Sequence, residues 1–293
     1  MKNLSPATGY IIVIISALAF AGNNAFAVMS YEGGTTPLTL LTVRNIFALI
    51  ALTVLMKLTG LALPLPKRER NAALALGVLN GVMAFCLMSA FDHIPVGLAI
   101  LVFYFYPIFT GLGAWITGQE KLNRGLVIGL VGGFIGLTLA LEITGEAANF
   151  NGILLAAAAS LMMAAVILLS ARVLQTDNAR SVTVHMHITA VALFVLISAV
   201  TSEFSLPGTT RGWIGFVVVP VVYTVAIATF FAGIAYVGAV RASLVMNLEP
   251  VASITLGFIV LGQVLSIRQL VGAAIVIGAV TAVKWLGGKK APT

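Results

Sequence analysis

The chain has 293 residues, of which 60% are hydrophobic and 9% are charged, and its formal net charge is +7. A soluble domain carries about 25% charged residues, so a water-soluble core of this size is excluded and a polytopic membrane protein is predicted. The positive balance is attributed to loops on the cytoplasmic side, not to a nucleic-acid partner. The single cysteine, Cys86, excludes an intramolecular disulfide.

Apolar runs of about 20 residues, the length that crosses a bilayer, occur ten times along the chain. They lie at residues 9–29, 37–58, 71–91, 95–117, 124–142, 151–172, 181–202, 211–235, 240–261 and 268–286. The short connections leave no room for a soluble domain. The first run contains Ala25-Phe26-Ala27, which resembles a signal-peptide cleavage site, but its length and its internal repeat partner predict a retained helix.

Lysine and arginine are distributed unequally between the two sides of the predicted membrane. Of the 16 Lys and Arg residues in the chain, Arg44 lies within a predicted span, and Arg211 and Arg268 fall on the outer side. The others fall on the same side as Lys2. This bias predicts that both termini are cytoplasmic. We expect a multi-pass protein of the bacterial inner membrane.

The two halves of the chain repeat each other at an offset of 143 residues, the separation of Pro107 from Pro250. The run Ala99–Pro107 matches Ala242–Pro250 at its alanine, proline and several aliphatic positions. Each half, 1–147 and 148–293, contains five spans, and an odd number inverts the second half in the membrane. The predicted fold is therefore all-α, with ten transmembrane helices as two five-helix inverted repeats, and each proline kinks its helix.

Glu249 is the most informative residue for function, because it lies about 14 Å into the ninth span at 1.5 Å per residue. A carboxylate near mid-bilayer costs several kcal/mol unless it faces a cavity or a partner. We expect Glu249 to act as the counter-ion of a substrate ammonium or as a protonatable coupling site. Capping of backbone groups freed near Pro250 is the structural alternative.

Arg44 is the other charge within a span, and three roles are open for it. It could snorkel outward, hold a carboxylate or tie helices together. The repeat pairs Arg44 with His187, which favours a common structural role. His185 and His187 lie near the cytoplasmic end of span seven, where interfacial placement is expected.

Other side chains at mid-span depth are expected to line a substrate path, several of them in repeat-related pairs. The polar members are Asn23, Asn24, Asn80, Tyr104, Tyr223 and Asn247. The aromatic and thioether members, which suit an aromatic substrate, are Phe20, Phe103, Met163 and Met246. The competing interpretations are hydrogen bonding between helices for the amides and ordinary membrane-core packing for the aromatic residues.

The five-plus-five spans, the Arg44-Asn45 pair and the proline run that leads to Gly118-Gln119-Glu120 resemble the drug/metabolite transporter superfamily. The Leu244–Pro250 run is similar to the ninth span of its EamA-type members, and the chain looks most like YddG-type aromatic amino acid exporters. This resemblance implies a central cavity lined mainly by spans 1, 3, 4, 6, 8 and 9, with spans 5 and 10 peripheral. Gln263 stands where the first repeat has Glu120, so that acid has no role common to both halves.

An intramembrane enzyme is disfavoured, because the chain has no His-Glu-x-x-His, no Gly-x-Ser-x-Gly and no nucleotide-binding loop. We predict a secondary transporter that exports amino acids or related metabolites by alternating access, with aromatic amino acids preferred. Export of small polar amino acids such as threonine or homoserine is the alternative, and a passive channel stays open. The expected partners are a small-molecule substrate and the lipid bilayer, with proton coupling undecided. No metal or cofactor is expected, and a monomer should suffice.

Overall fold

The computed structural model describes residues 6–121, 123–141, 149–175, 178–262 and 264–286. Those residues form twelve α-helices and no β-strand. The helices are α1 (Pro6–Glu32), α2 (Pro37–Leu58), α3 (Lys67–Phe91), α4 (Val96–Phe103), α5 (Tyr106–Ile116), α6 (Arg124–Ala140), α7 (Phe150–Val173), α8 (Ala179–Thr201), α9 (Thr210–Val237), α10 (Ala239–Val245), α11 (Leu248–Leu261) and α12 (Ile267–Leu286). Gln263, where the repeats differ, lies outside the described residues.

Eight segments of the described chain are long and apolar enough to cross a membrane. Six are single helices, and two join a pair of short helices: Val96–Ile116 contains α4 and α5, and Ala239–Val260 contains α10 and most of α11. The helices α6 and α12 are also apolar but shorter. For the described residues, the prediction of an all-helical, multi-pass membrane protein is confirmed.

Local sequence sets where several helices begin. The side chains of Thr36 and Thr209 accept hydrogen bonds from the backbone N–H groups of Thr39 and Gly212, respectively. These caps satisfy donors that the first helical turn leaves unpaired. Gly238 separates α9 from α10 at a φ of 85°, a conformation that favours glycine. The chain therefore changes direction there between two apolar helices.

The spans that contain Pro107 and Pro250 are both interrupted near their middle. The helix α4 gives way to α5 just before Pro107, and α10 gives way to α11 just before Pro250. Proline lacks an N–H donor, and its ring clashes with the carbonyl of the preceding turn, which favours a break on the N-terminal side of the ring. Pro220, by contrast, lies within the continuous helix α9. Tyr104 and Asn247 lie in the two turns, and Glu249 lies in the first turn of α11. The breaks therefore place polar side chains at mid-span.

The helices pack as pairs around a central core. The helix α1 runs along α9, α3 runs along α7 and α8, and α6 runs along α12. A Cβ on Gly136 of α6 would lie 2.8 Å from the carbonyl oxygen of Gly272 on α12. Small residues of this kind let helix backbones approach closely in a membrane. Because α6 and α12 pack chiefly on each other, they lie to one side of the core, which contains Tyr106, Phe230 and Phe231.

An ion pair joins the segment after α5 to the start of α10. Arg241 Nη2 lies 2.8 Å from Glu120 Oε1, with 30% and 17% of the two side chains exposed. Arg241 Nη1 also donates to the carbonyl oxygen of Val237 at 3.4 Å. Burial raises the pKa of the Glu120 carboxyl, and the nearby Arg241 charge opposes that rise. The sequence predicted Arg241 only as one of the positive charges on the cytoplasmic side, and it did not predict this contact.

We predict that Gly77→Ala destabilises the fold, because a Cβ at Gly77 would collide with the Met186 carbonyl and the Thr189 hydroxyl on α8. Overpacking by one carbon typically costs about 1–3 kcal/mol. Thermal denaturation in detergent should show a lower midpoint than wild type. The matched control is Gly278→Ala, where a Cβ meets nothing within 4 Å. Equal midpoints for Gly77→Ala and wild type would contradict this close approach.

We predict that Arg241→Gln lowers thermal stability more at about pH 8 than at about pH 5. The folded-state pKa of Glu120 is raised by burial, so losing the arginine leaves a carboxylate that is costly while charged. Protonation at acid pH removes that cost, and rising pH restores it. The double variant Glu120→Gln/Arg241→Gln should lose the pH-dependent part of the deficit. A deficit independent of pH in the single variant would refute the assignment.

Candidate functional site

The Glu249 carboxylate is held by side chains from two other spans. Asn24 Nδ2 on α1 donates to Glu249 Oε1 at 3.0 Å and lies 3.4 Å from Ser253 Oγ, one turn further along α11. The Tyr104 hydroxyl, in the break between α4 and α5, also interacts with the Glu249 carboxyl group. Although Asn24 lies within a membrane-crossing helix, its side chain is exposed. The carboxylate therefore sits next to an accessible polar group.

The side-chain amides of Asn23 and Asn24 connect Glu249 to Arg44 through hydrogen bonds. Asn23 Nδ2 donates to Asn24 Oδ1 at 3.1 Å, and Arg44 Nη1 donates to Asn23 Oδ1 at 3.2 Å. A carboxylate only accepts hydrogen bonds and a guanidinium only donates them. Both amides must therefore point their NH₂ groups toward Glu249 and their oxygens toward Arg44. The four side chains form one polarised line between an acid and a base.

Arg44 lies over an aromatic ring and does not snorkel toward the membrane surface. Its guanidinium carbon is 4.3 Å from the centroid of the Tyr223 ring, a cation–π contact. The Tyr223 hydroxyl donates to Asn45 Oδ1 at 3.3 Å, and Asn45 Nδ2 donates to the Leu41 carbonyl at 2.8 Å. Arg44 thus ties α1, α2 and α9 together, which is one of the three roles that its sequence position allowed.

His187 is buried, not interfacial as the sequence suggested. Only 3% of the residue is exposed, and its Nδ1 lies 2.8 Å from the Thr183 carbonyl one turn earlier. Its ring centroid is 6.0 Å from that of Tyr223. The expectation failed because α8 begins at Ala179, so His187 lies more than two turns into the helix. Its repeat partner Arg44 lies over the same tyrosine, so the two paired residues both contact Tyr223.

Aromatic rings border this polar line. Phe20 meets Tyr223 edge-to-face at a centroid separation of 6.2 Å and meets Phe230 at 6.4 Å. Phe103 meets Tyr104 edge-to-face at 5.7 Å. Edge-to-face pairs of this kind are the geometry that aromatic rings prefer. Two of the aromatic residues predicted to line the substrate path, Phe20 and Phe103, therefore lie next to Tyr223 and Tyr104, respectively.

Other predicted site residues lie away from the line. Asn247 is 2% exposed and turns toward α6, where a Cβ on Gly133 would lie 2.6 Å from its Nδ2. Asn80 is half-buried on α3. Met246 is buried in the main core, and Met163 packs against it. Among the described residues, no hydrogen bond joins these four side chains to the line from Glu249 to Arg44.

Two residues of the network were missed by sequence analysis. Asn45 follows Arg44 directly, and Ser253 lies one helical turn after Glu249. An i to i+4 spacing puts Ser253 on the face of Glu249, so periodicity along α11 was a usable signal. Among the described residues, no three His, Cys, Asp or Glu side chains come together to hold a metal ion.

Known proteins show which family and which fold this chain resembles. The model of the EamA-like transporter family matches residues 7–141 and again residues 150–285. An uncharacterized transporter from Archaeoglobus fulgidus is 26% identical over 219 residues, which cover 73% of this chain and 76% of that protein. A crystal structure of a protein matches with a TM-score of 0.81 at 21% identity, covering 96% of this chain and 98% of the other. At that identity the structural match indicates the fold alone.

We predict that Tyr223→Leu destabilises the protein more than Tyr223→Phe does. Phenylalanine keeps the ring beneath Arg44 and loses one hydrogen bond, worth about 0.5–1.5 kcal/mol. Leucine loses the cation–π contact as well, worth about 0.5–2 kcal/mol. Thermal denaturation in detergent measures both variants. Leucine also loses the ring contacts with Phe20 and His187, so with Arg44→Met in the background the difference between the two variants should shrink without vanishing. A difference of unchanged size in that background would contradict the cation–π contact.

Proposed function

The chain belongs to the EamA-like transporter family, and from that premise we propose that it is a secondary transporter that exports amino acids, aromatic ones preferentially. Its multi-pass helical structure and its transporter relative indicate a carrier of small molecules rather than an enzyme. The proposal is carried by one observation, the line of side chains from Glu249 through Asn24 and Asn23 to Arg44.

An amino acid presents the two charges that this line can bind. Its ammonium group suits Glu249 and the Tyr104 hydroxyl, and its carboxylate suits the Arg44 guanidinium. In the absence of substrate, the Asn23 and Asn24 amides bridge the two charges and lower the cost of holding them within the membrane. A zwitterion can replace those bridges, because amide side chains rotate without breaking a helix. Binding would then exchange one satisfied network for another.

Aromatic specificity is supported by the rings that border the line. Phe20 and Phe103 are both partly buried and lie next to Tyr223 and Tyr104, respectively. Partly buried rings have faces or edges free to stack on a substrate ring. Threonine or homoserine would leave that apolar surface unfilled, so export of small polar amino acids is the second candidate. Met163, Met246, Asn80, Tyr223 and Asn247 remain proposed secondary lining residues.

Alternating access follows from the proposed topology. We assign ten membrane crossings, namely the eight long segments together with α6 and α12, as two inverted five-helix repeats spanning 1–147 and 148–293. The broken spans at Pro107 and Pro250 are repeat-related, so each half contributes one hinge near mid-membrane. The lysine and arginine bias supports cytoplasmic termini in a bacterial inner membrane.

We predict that Glu249→Gln abolishes most substrate counterflow while the purified protein stays folded. Glutamine keeps the shape of the side chain and can still accept from Asn24, but it removes the charge that pairs with an ammonium. Proteoliposomes loaded with each of the twenty amino acids in turn, with and without a pH gradient, measure exchange of labelled substrate. Acceleration by substrate on the far side distinguishes a carrier from a pore.

The matched control is Glu32→Gln, which removes an equally charged but exposed residue. Glu32 lies 4.0 Å from Arg211 with more than half of each side chain exposed, a pairing worth little. Its counterflow should equal that of wild type. Wild-type counterflow by a folded Glu249→Gln protein would overturn the role of Glu249. Counterflow of threonine and not phenylalanine would favour the second candidate function.

A further inference from the structure

A recess in the molecule lies away from the residues around Glu249. A cavity of about 530 Å³ opens between the start of α3 and the end of α7. This volume falls within the roughly 300–1,000 Å³ of ligand-binding pockets. Neither Glu249 nor Arg44 lines it. The line of side chains from Glu249 to Arg44 does not account for it.

The mouth of this cavity is positively charged. Arg68, in the first turn of α3, and Arg172, in the last turn of α7, line it and are exposed. Glu69 lines it as well, but its carboxylate accepts a hydrogen bond from Asn178 Nδ2 at 2.9 Å. Gln175 adds a neutral amide. The described lining residues therefore include two exposed guanidinium groups and one carboxylate that is already hydrogen-bonded. The charge around the mouth of the cavity is positive.

The wall of the cavity is apolar and runs along the helix. Ala72, Ala75, Leu76 and Leu79 line it at spacings of three and four residues, which put them on one face of α3. On α7, Leu169 faces the same space and is 43% exposed. The apolar strip extends from the basic mouth toward the middle of the span. This combination of a basic mouth and an apolar wall suits a ligand that has an anionic head and a hydrocarbon chain.

We propose that this cavity binds an anionic phospholipid from the leaflet at that end of the molecule, the cytoplasmic leaflet in the proposed topology. The phosphate would contact Arg68 and Arg172, and an acyl chain would lie along the face of Ala72, Ala75 and Leu79. Basic pockets between transmembrane helices on the cytoplasmic side favour such head groups electrostatically. A zwitterionic lipid brings its own cation to two arginines, and free phosphate leaves the apolar strip unfilled. The lipid would contact both the start of α3 and the end of α7.

The test uses the full-length protein, purified in detergent and mixed with phosphatidylglycerol or phosphatidylcholine, with bound lipid counted by native mass spectrometry. Wild type should retain phosphatidylglycerol about tenfold more than phosphatidylcholine. The variant Arg68→Gln/Arg172→Gln should lose that preference. The matched control, Arg180→Gln, removes an exposed arginine near the start of α8 that does not line the cavity, and it should retain the preference.

A second variant separates the site from general surface charge. Ala75→Trp keeps both arginines and fills the apolar strip, so it should reduce phosphatidylglycerol retention while the protein elutes as a folded species. Equal retention of the two lipids by wild type would overturn the proposal. Unchanged retention in both the arginine pair variant and Ala75→Trp would overturn it too. These readouts measure bound lipid and not transport, so they are independent of the assignment of Glu249.

Discussion

The structure depends on the cost of keeping an acid and a base within a membrane. Glu249 and Arg44 both lie in segments long and apolar enough to cross a membrane, where an unpaired charge costs several kcal/mol. The protein meets this cost with two aligned amides, an aromatic ring beneath the guanidinium and a tyrosine beside the carboxylate. Because these groups come from several helices, the charges hold the centre of the molecule together.

The broken helices make this arrangement feasible. A continuous α4–α5 or α10–α11 helix would bond all of its backbone groups internally and present a uniform apolar wall. The breaks at Pro107 and Pro250 interrupt that wall, and Tyr104 from the first break contacts Glu249 from the second. The Glu120–Arg241 pair joins the end of the first broken span to the start of the second. The proposed recognition of charge and the proposed movement of the two halves therefore involve the same two spans.

Much of this could be predicted from sequence, but only along the membrane normal. Span length and the paired prolines predict where a residue lies along its span, and Glu249 is found in the first turn of α11, directly after the break. Facing direction is different, because adjacent helical residues point about 100° apart. Asn247 was expected to line the substrate path, and its side chain lies against Gly133 of α6, while Asn45 and Ser253 were not predicted as members of the network. Which helix each side chain meets depends on tertiary packing that periodicity does not encode.

The most direct test of charge-pair recognition compares phenylalanine with two analogues that each lack one charge. Phenethylamine keeps the ammonium, and 3-phenylpropionate keeps the carboxylate. Isothermal titration of the purified protein should show phenylalanine binding at least about tenfold more tightly than either, since each analogue leaves Glu249 or Arg44 without its partner. Equal binding of all three would show that the ring alone is recognised, and it would contradict a substrate-binding role for the line from Glu249 to Arg44.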